Sequence, residues 1–268
     1  MRTLKLVLFL YFVVITKSYA QTYMGGYLRT EAITNNKHKI IVELTTTQTP
    51  MSSRATIPIV IYSDNYTKIA EFDIPLKSQV PYPIRVSAQK TIYEGEYTFN
   101  AILFLSGTYY KISTALENRS FYILNYSNQS ISNRELYLET RLLIGNAILN
   151  FSPKINQNVF GYFLLNPPTQ MPFSNTFDLS AVSSNSDSLS YEVNPFYTNY
   201  NRVLTSSAPL VQNPLSNLGL IQVSGLSVCG AYAMSFKIRQ WKKRNGTNIF
   251  YEIGHSYVEY CFTVDCLP

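Results

Sequence analysis

Apolar and polar residues alternate with a period of two along most of this chain, and an amphipathic period near 3.6 is hard to find. From His38 to Thr46 the even positions Ile40, Val42 and Leu44 are apolar, while Lys39, Glu43 and Thr45 point the other way. Ile57 to Tyr62 is apolar on both faces, Ser63-Asp64-Asn65 reads as a turn, and Tyr66 to Ile74 alternates again. The same reasoning predicts strands over Pro83–Ala88, Tyr97–Leu105, Tyr109–Ser113 and Ser120–Leu124, whereas Arg134–Leu143 fits either a helix or a strand. Short strands separated by polar turns imply antiparallel sandwiches.

The end of the chain carries the clearest pattern. Between Ala231 and Gln240 the even positions Tyr232, Met234, Phe236 and Ile238 are apolar, as are Val258, Tyr260, Phe262 and Val264 between Ser256 and Val264. Both read as half-buried strands, and Asn245-Gly246 between them is a hairpin signal. Opposed residues of an antiparallel pair share a face, so a three-residue loop over Arg244–Gly246 places Cys229 opposite Cys261. A bulge within Asn248–Gly254 would shift that alignment by two. In an oxidising compartment the facing pair Cys229–Cys261 is the expected disulfide, with Cys261–Cys266 and three free thiols as alternatives. The thiol left over from the first pairing is Cys266.

The compartment follows from the N-terminus. Arg2 and Lys5 precede an apolar run from Leu6 to Ile15, and small residues flank a cut after Ala20, which predicts a secretory signal peptide over residues 1–20. The run is shorter than a membrane helix requires, and nothing later is apolar for long enough to span as a helix. The protein is therefore expected outside the cytoplasm: extracellular, on the cell surface or in the periplasm. The whole chain has 22 Lys and Arg against 16 Asp and Glu, a net charge of +6. Arg2, Lys5 and Lys17 leave with the signal, so the processed balance falls to 19 against 16. The remaining basic residues are scattered apart from Lys242-Lys243-Arg244, which gives nucleic-acid binding little support. With 22 Tyr and 15 Phe and only 14% charged residues, the composition suits strands. A Ser-Pro at 152–153 and Asn166-Pro167-Pro168 mark a boundary near Gly145–Ser152. The expected fold is all-β, two tandem immunoglobulin-like antiparallel β-sandwich domains over residues 21–145 and 146–268.

Several short stretches, in order, carry a family resemblance. Gly25-Gly26-Tyr27, Asn35-Asn36, Ile40 to Leu44 and Ser152-Pro153 are followed by Gly230-Ala231-Tyr232-Ala233, Arg239-Gln240-Trp241, Asn245-Gly246 and Ile253-Gly254. Together they resemble secreted, cell-surface and gliding-motility-associated proteins of Bacteroidetes with PKD- or cadherin-like sandwich domains. The resemblance implies adhesion or surface assembly. It also implies a three-acid turn before a strand, of the kind that holds calcium in cadherin-like modules. Here the stretch Ala181–Val193 keeps Asp187-Ser188-Leu189-Ser190-Tyr191, but Ser183, Asn185 and Ser186 stand where the other acids and a glycine would be. Calcium needs six to eight oxygen ligands with ample negative charge, so this segment is read as a turn and no metal site is expected. A second departure is at Asn125-Tyr126-Ser127, where the family carries paired cysteines.

Catalytic chemistry finds little support. His38 and His255 both fall in predicted strands, and no nucleophile elbow, zinc motif or phosphate loop is present. The expectation is a non-enzymatic protein without cofactors that binds a surface protein or polysaccharide. Tyr197 and Tyr200, in a turn-rich polar stretch, are candidate stacking groups for a sugar, with ordinary half-buried tyrosines as the plainer reading. The alternatives are an outer-membrane β-barrel, on the strength of alternating aromatic strands, and a hydrolase or accessory protein with a loop-built site.

Overall fold

The computed structural model describes residues 22–34, 36–47, 54–82, 88–100, 102–119, 124, 135–144, 151–156, 160–165, 173–199, 202–204, 219–226 and 228–266. These residues form an all-β structure without a helix. Its first seven strands are β1 (Tyr23–Ala32), β2 (Lys37–Thr47), β3 (Thr56–Ser63), β4 (Lys68–Pro81), β5 (Ala88–Thr98), β6 (Thr108–Leu116) and β7 (Leu136–Ile144). They hydrogen-bond in the order β1-β2-β5-β4-β3-β6-β7, each pair antiparallel. One face of this sheet is lined by Leu28, Ile40, Val42, Leu44, Ile57, Ile59, Ile61, Ile112 and Leu138, all fully buried. Burial of each such side chain contributes about 1.5–3 kcal/mol, so the alternation read in β2 and the apolar run read in β3 both drive the sheet to close on itself.

The remaining strands are β8 (Lys154–Ile155), β9 (Phe160–Leu165), β10 (Phe173–Asp178), β11 (Ala181–Val182), β12 (Ser188–Val193), β13 (Phe196–Asn199), β14 (Arg202–Leu204), β15 (Leu220–Leu226), β16 (Gly230–Lys243) and β17 (Phe250–Cys266). β17 pairs along one edge with β16, which in turn pairs with β12. Its other edge is shared: Gly254–Ser256 meet β7, Val258 and Glu259 meet β1, and Cys261–Cys266 run parallel to β9. The eleven-stranded sheet is therefore continuous through both halves of the chain. A second core lies where the even positions of β16 and β17 pack on Phe177, Ile221 and Val223 of the two-stranded β10–β15 sheet. A third cluster, containing Met24, Ala88, Ala231, Ala233 and Cys261, fills the seam.

Several sequence expectations shift. The ambiguous Arg134–Leu143 segment is strand β7. The strand expected over Tyr97–Leu105 ends at Thr98, because Asn100 turns the chain: its side-chain oxygen accepts from Ile102 N–H at 2.9 Å and its carbonyl from Phe104 N–H at 2.9 Å. The turn delivers Phe99 and Phe104 edge-on to each other inside the first core. Residues 83–87 and 120–123, where two further strands are expected, lie outside the described residues, as do residues 1–20 and 145–150.

The terminal hairpin corrects the disulfide. Its loop runs from Arg244 to Ile249, because Arg244 N–H bonds Ile249 O at 2.8 Å, and a bulge lies between Gln240 and Trp241. This register places Cys261 opposite Ala233 rather than Cys229. The bond instead joins Cys229 to Cys266, Cα atoms 5.9 Å apart. Both flank the Gly230–Val264 end of the ladder, and the leftover thiol is the buried Cys261. The odd face of β16, expected toward solvent, is also covered at Ala231, Ala233 and Ser235 by the seam.

Candidate ligand-binding cleft

Register parity brings one polar face together from strands distant in sequence. The pairings Lys111↔Arg141 (β6–β7), Arg141↔His255 (β7–β17) and His255↔Arg239 (β17–β16) put the odd positions of four strands on the same side. Glu192 of β12 joins them opposite Lys237. The turn after β3 supplies Asp64 and Tyr66, the latter in the left-handed region with φ 64°. Between these elements lies a cleft of about 320 Å³ lined by Asp64, Tyr66, Lys111, Arg141, Lys237, Arg239, Glu252, His255 and Tyr257.

Acids and arginines alternate across it. Arg141 grips Asp64 with two bonds of 2.7 Å and reaches Glu252 at 3.2 Å. Arg239 donates to the other oxygen of Glu252 at 2.6 Å and forks onto Glu192 at 2.8 and 3.3 Å. His255 Nδ1 completes the Glu252 shell at 2.7 Å. Burial would raise the Glu252 pKa, but His255 and Arg239 hold it down to about 2. Hydrogen bonding by Arg141 likewise keeps the Asp64 carboxyl below its ordinary value.

Behind this chain, fully buried Glu139 accepts from Tyr137 Oη at 2.6 Å and Tyr66 Oη at 3.4 Å. His255 Nε2 stands 3.6 Å from Glu139 and makes no hydrogen bond with the described residues. A second buried pair lies further along β17, where Arg119 Nη2 meets Glu259 at 2.7 Å and also donates to Tyr197 O at 2.7 Å.

The two lysines are less engaged than the arginines. Lys111 Nζ donates to Asp64 O at 2.7 Å and sits 3.3 Å above the Tyr66 ring, with the nearest Asp64 carboxylate oxygen 4.0 Å away. Lys237 Nζ is 3.9 Å from Glu192 and 5.6 Å from the Tyr257 ring centre. Burial lowers the pKa of both, and the adjacent Arg239 lowers that of Lys237 further. Lys111, Arg141, Lys237 and Arg239 face the carboxylates of Asp64, Glu192 and Glu252, and the buried Glu139 beneath them also favours the charged form of both lysines. A ligand that brings negative charge to the lysines relieves the cost of their desolvation.

Tyr197 is half-buried beside this face, its ring stacked on Tyr257 at 5.3 Å and 9°. Tyr257 is itself stacked on His255 at 5.4 Å. Tyr200 lies outside the described residues. In the acidic turn, Asp187 accepts from Lys243 N–H at 2.6 Å, and Asn185 Oδ1 accepts from Ser183 Oγ at 2.8 Å, so both polar groups tie the turn that leads into β12. Of the cleft residues, sequence reasoning singled out none as ligand-binding. The available signal was the charge on the odd, supposedly solvent-facing positions Lys237 and Arg239. Comparison with known families and with curated proteins returns no match for this chain.

Proposed function

We propose that this chain is an exported, non-enzymatic β-sandwich protein of the cell surface that binds an acidic polysaccharide in the charged cleft. In this reading the two halves, residues 21–145 and 146–268, are immunoglobulin-like units joined along β17, in keeping with the resemblance to Bacteroidetes surface proteins. The observation that carries the proposal is the pair Lys111 and Lys237, two desolvated ammonium groups in one open cleft with no carboxylate among the described residues closer than 3.9 Å. They suit a carboxylate or sulfate on a sugar, while the Glu252 and Asp64 oxygens and the tyrosine hydroxyls suit its ring hydroxyls.

Two features favour binding over hydrolysis. Glu252 is held ionised by three donors, which makes it a poor proton donor at neutral pH. Glu139 is fully buried under its tyrosines, away from any bulky substrate. Against a lipid-embedded barrel, apolar residues such as Ile57, Ile59 and Ile61 point inward and Lys68, Glu71 and Asp73 point outward, the reverse of a membrane barrel's distribution.

The test is titration calorimetry with uronate-rich, sulfated and neutral polysaccharides. Acidic chains are expected to bind and neutral chains to bind at least about tenfold more weakly, with Lys237→Gln removing about 1–2 kcal/mol. Absence of binding to every acidic polysaccharide, or equal binding by Lys237→Gln and Lys111→Gln, sinks the assignment. Parent-like binding by Tyr197→Ala confines Tyr197 to packing against Tyr257.

A further inference from the structure

Away from the cleft, one end of the molecule collects apolar side chains on projecting turns. Ile102 is 85% exposed, Leu105 66% and Ile249 61%, with Leu103 and Phe250 also in solvent. They come from two turns far apart in sequence, after β5 and between β16 and β17. The strand pairings bring both turns to the same end. Thr108 pairs with Ile144, Leu142 with Gly254, and Tyr109 Oη donates to Glu252 O at 2.5 Å, so residues 102–107 and 249–251 project beyond the same row. Surface-exposed aliphatic side chains cost solubility, and single ones are ordinary, but five gathered at one end need a partner.

The surroundings specify what kind. Lys243 pairs with Phe250 across the hairpin and Arg244 follows it, both exposed, with Lys242 half-exposed beside them. An open hollow of about 590 Å³ at the hairpin is lined by these three cations, with Asp187 as its one carboxylate among the described residues. The apolar groups stand on two exposed turns. Exposed apolar turns with three cations on one of them match a surface that is soft and apolar inside and anionic at its boundary.

We propose that this end docks on a bilayer containing anionic phospholipid, with Ile102, Leu103, Leu105, Ile249 and Phe250 entering the acyl boundary and Lys242, Lys243 and Arg244 meeting headgroup phosphates. The inference stands independently of the polysaccharide reading, because none of these residues lines the charged cleft.

Vesicle co-sedimentation tests it, using phosphatidylcholine vesicles with and without roughly one-third phosphatidylglycerol. Parent and variants are compared in the same form of the chain, so that any contribution of the Leu6–Ile15 run cancels. Parent protein is expected to sediment with anionic vesicles, and several-fold less with neutral vesicles or in about 0.5 M salt. The double substitution Ile249→Ser with Phe250→Ser should weaken partitioning about tenfold or more. Lys243→Glu with Arg244→Glu, at the exposed end of β16 and the residue after it, should weaken it on anionic vesicles alone, with circular dichroism matching the parent. As a second readout, Phe250→Trp should show a blue-shifted emission on vesicles relative to the parent, whose single Trp241 bonds Ser190 Oγ. Failure of the parent to bind anionic vesicles, or parent-like binding by both double variants, overturns the proposal. So does a concentration-dependent dimer that the same apolar substitutions abolish, since that result assigns the face to a second copy of the chain.

Discussion

His38 shows at the scale of one residue how the fold records pH. It lies buried in β2, its ring edge-on to Phe99 at 5.1 Å, and its Nδ1 has no hydrogen-bond partner among the described residues. Burial alone lowers its pKa from 6.5 to about 4. Between those values the unfolded chain takes up the proton more readily than the folded one. The contribution is therefore whole above pH 6.5 and is lost as pH falls through 4. The loss amounts to about 3 kcal/mol. Glu252 acts lower on the scale: its folded pKa near 2 lies below the ordinary 4.5, so its contribution is present above 4.5 and is lost as pH falls toward 2. Urea unfolding at pH 7, 5.5, 4.5 and 3 should show stability declining in the parent, and His38→Leu should flatten the decline above pH 4.5 while leaving the loss that Glu252 contributes between pH 4.5 and 3. An unchanged slope in His38→Leu would show that burial of this imidazole is not its cause.

At the scale of elements, the join between the two halves depends on how closely β1 approaches β17. A Cβ on Gly25 would stand 2.6 Å from the carbonyl oxygen of Glu259, which is backbone and cannot swing away. Gly25→Ala should therefore push the strands apart and cost about 1–3 kcal/mol. Gly246 makes the contrast: its φ is 72° but open space surrounds it, so Gly246→Ala should cost only about 1 kcal/mol, from backbone strain. Equal losses in thermal or urea unfolding would mean that the β1–β17 contact does not need the glycine. Alternation in the sequence identified β2, β6, β16 and β17, and a run apolar on both faces identified β3, because each buries a set of apolar side chains. It says which face a side chain takes but not which strand lies alongside, so β5 entering between β2 and β4 was not legible. The disulfide was misjudged because loop length, which Asn245-Gly246 leaves open, sets the register. The cleft escaped for the same reason: Lys111, Arg141, Arg239 and His255 look like unrelated surface charges until pairing lines their strands up.

For the molecule as a whole, β17 makes the two halves one object. It pairs with β7 and β1 of the first half and with β16 and β9 of the second, so without β17 the first sheet is left open between β1 and β7, and β16 and β9 each lose a partner strand. Three reporters sit in different places: Trp241 in β16, the buried thiol of Cys261 in the seam, and the backbone of the first sheet. Burial raises the Cys261 pKa, so this thiol should stay silent to a disulfide reagent in the folded protein and react once the seam opens. Tryptophan fluorescence, far-ultraviolet circular dichroism and Cys261 reactivity are then expected to change at one urea concentration. The Cys229–Cys266 bond closes 37 residues around the β16–β17 hairpin, so its loss through the double substitution Cys229→Ser with Cys266→Ser, which leaves Cys261 as the one thiol, should destabilise by about 3–4 kcal/mol and move all three probes together. A thiol that reacts well before Trp241 responds would show the seam opening first, and the coupling assigned to β17 would then fail even with every strand in its place.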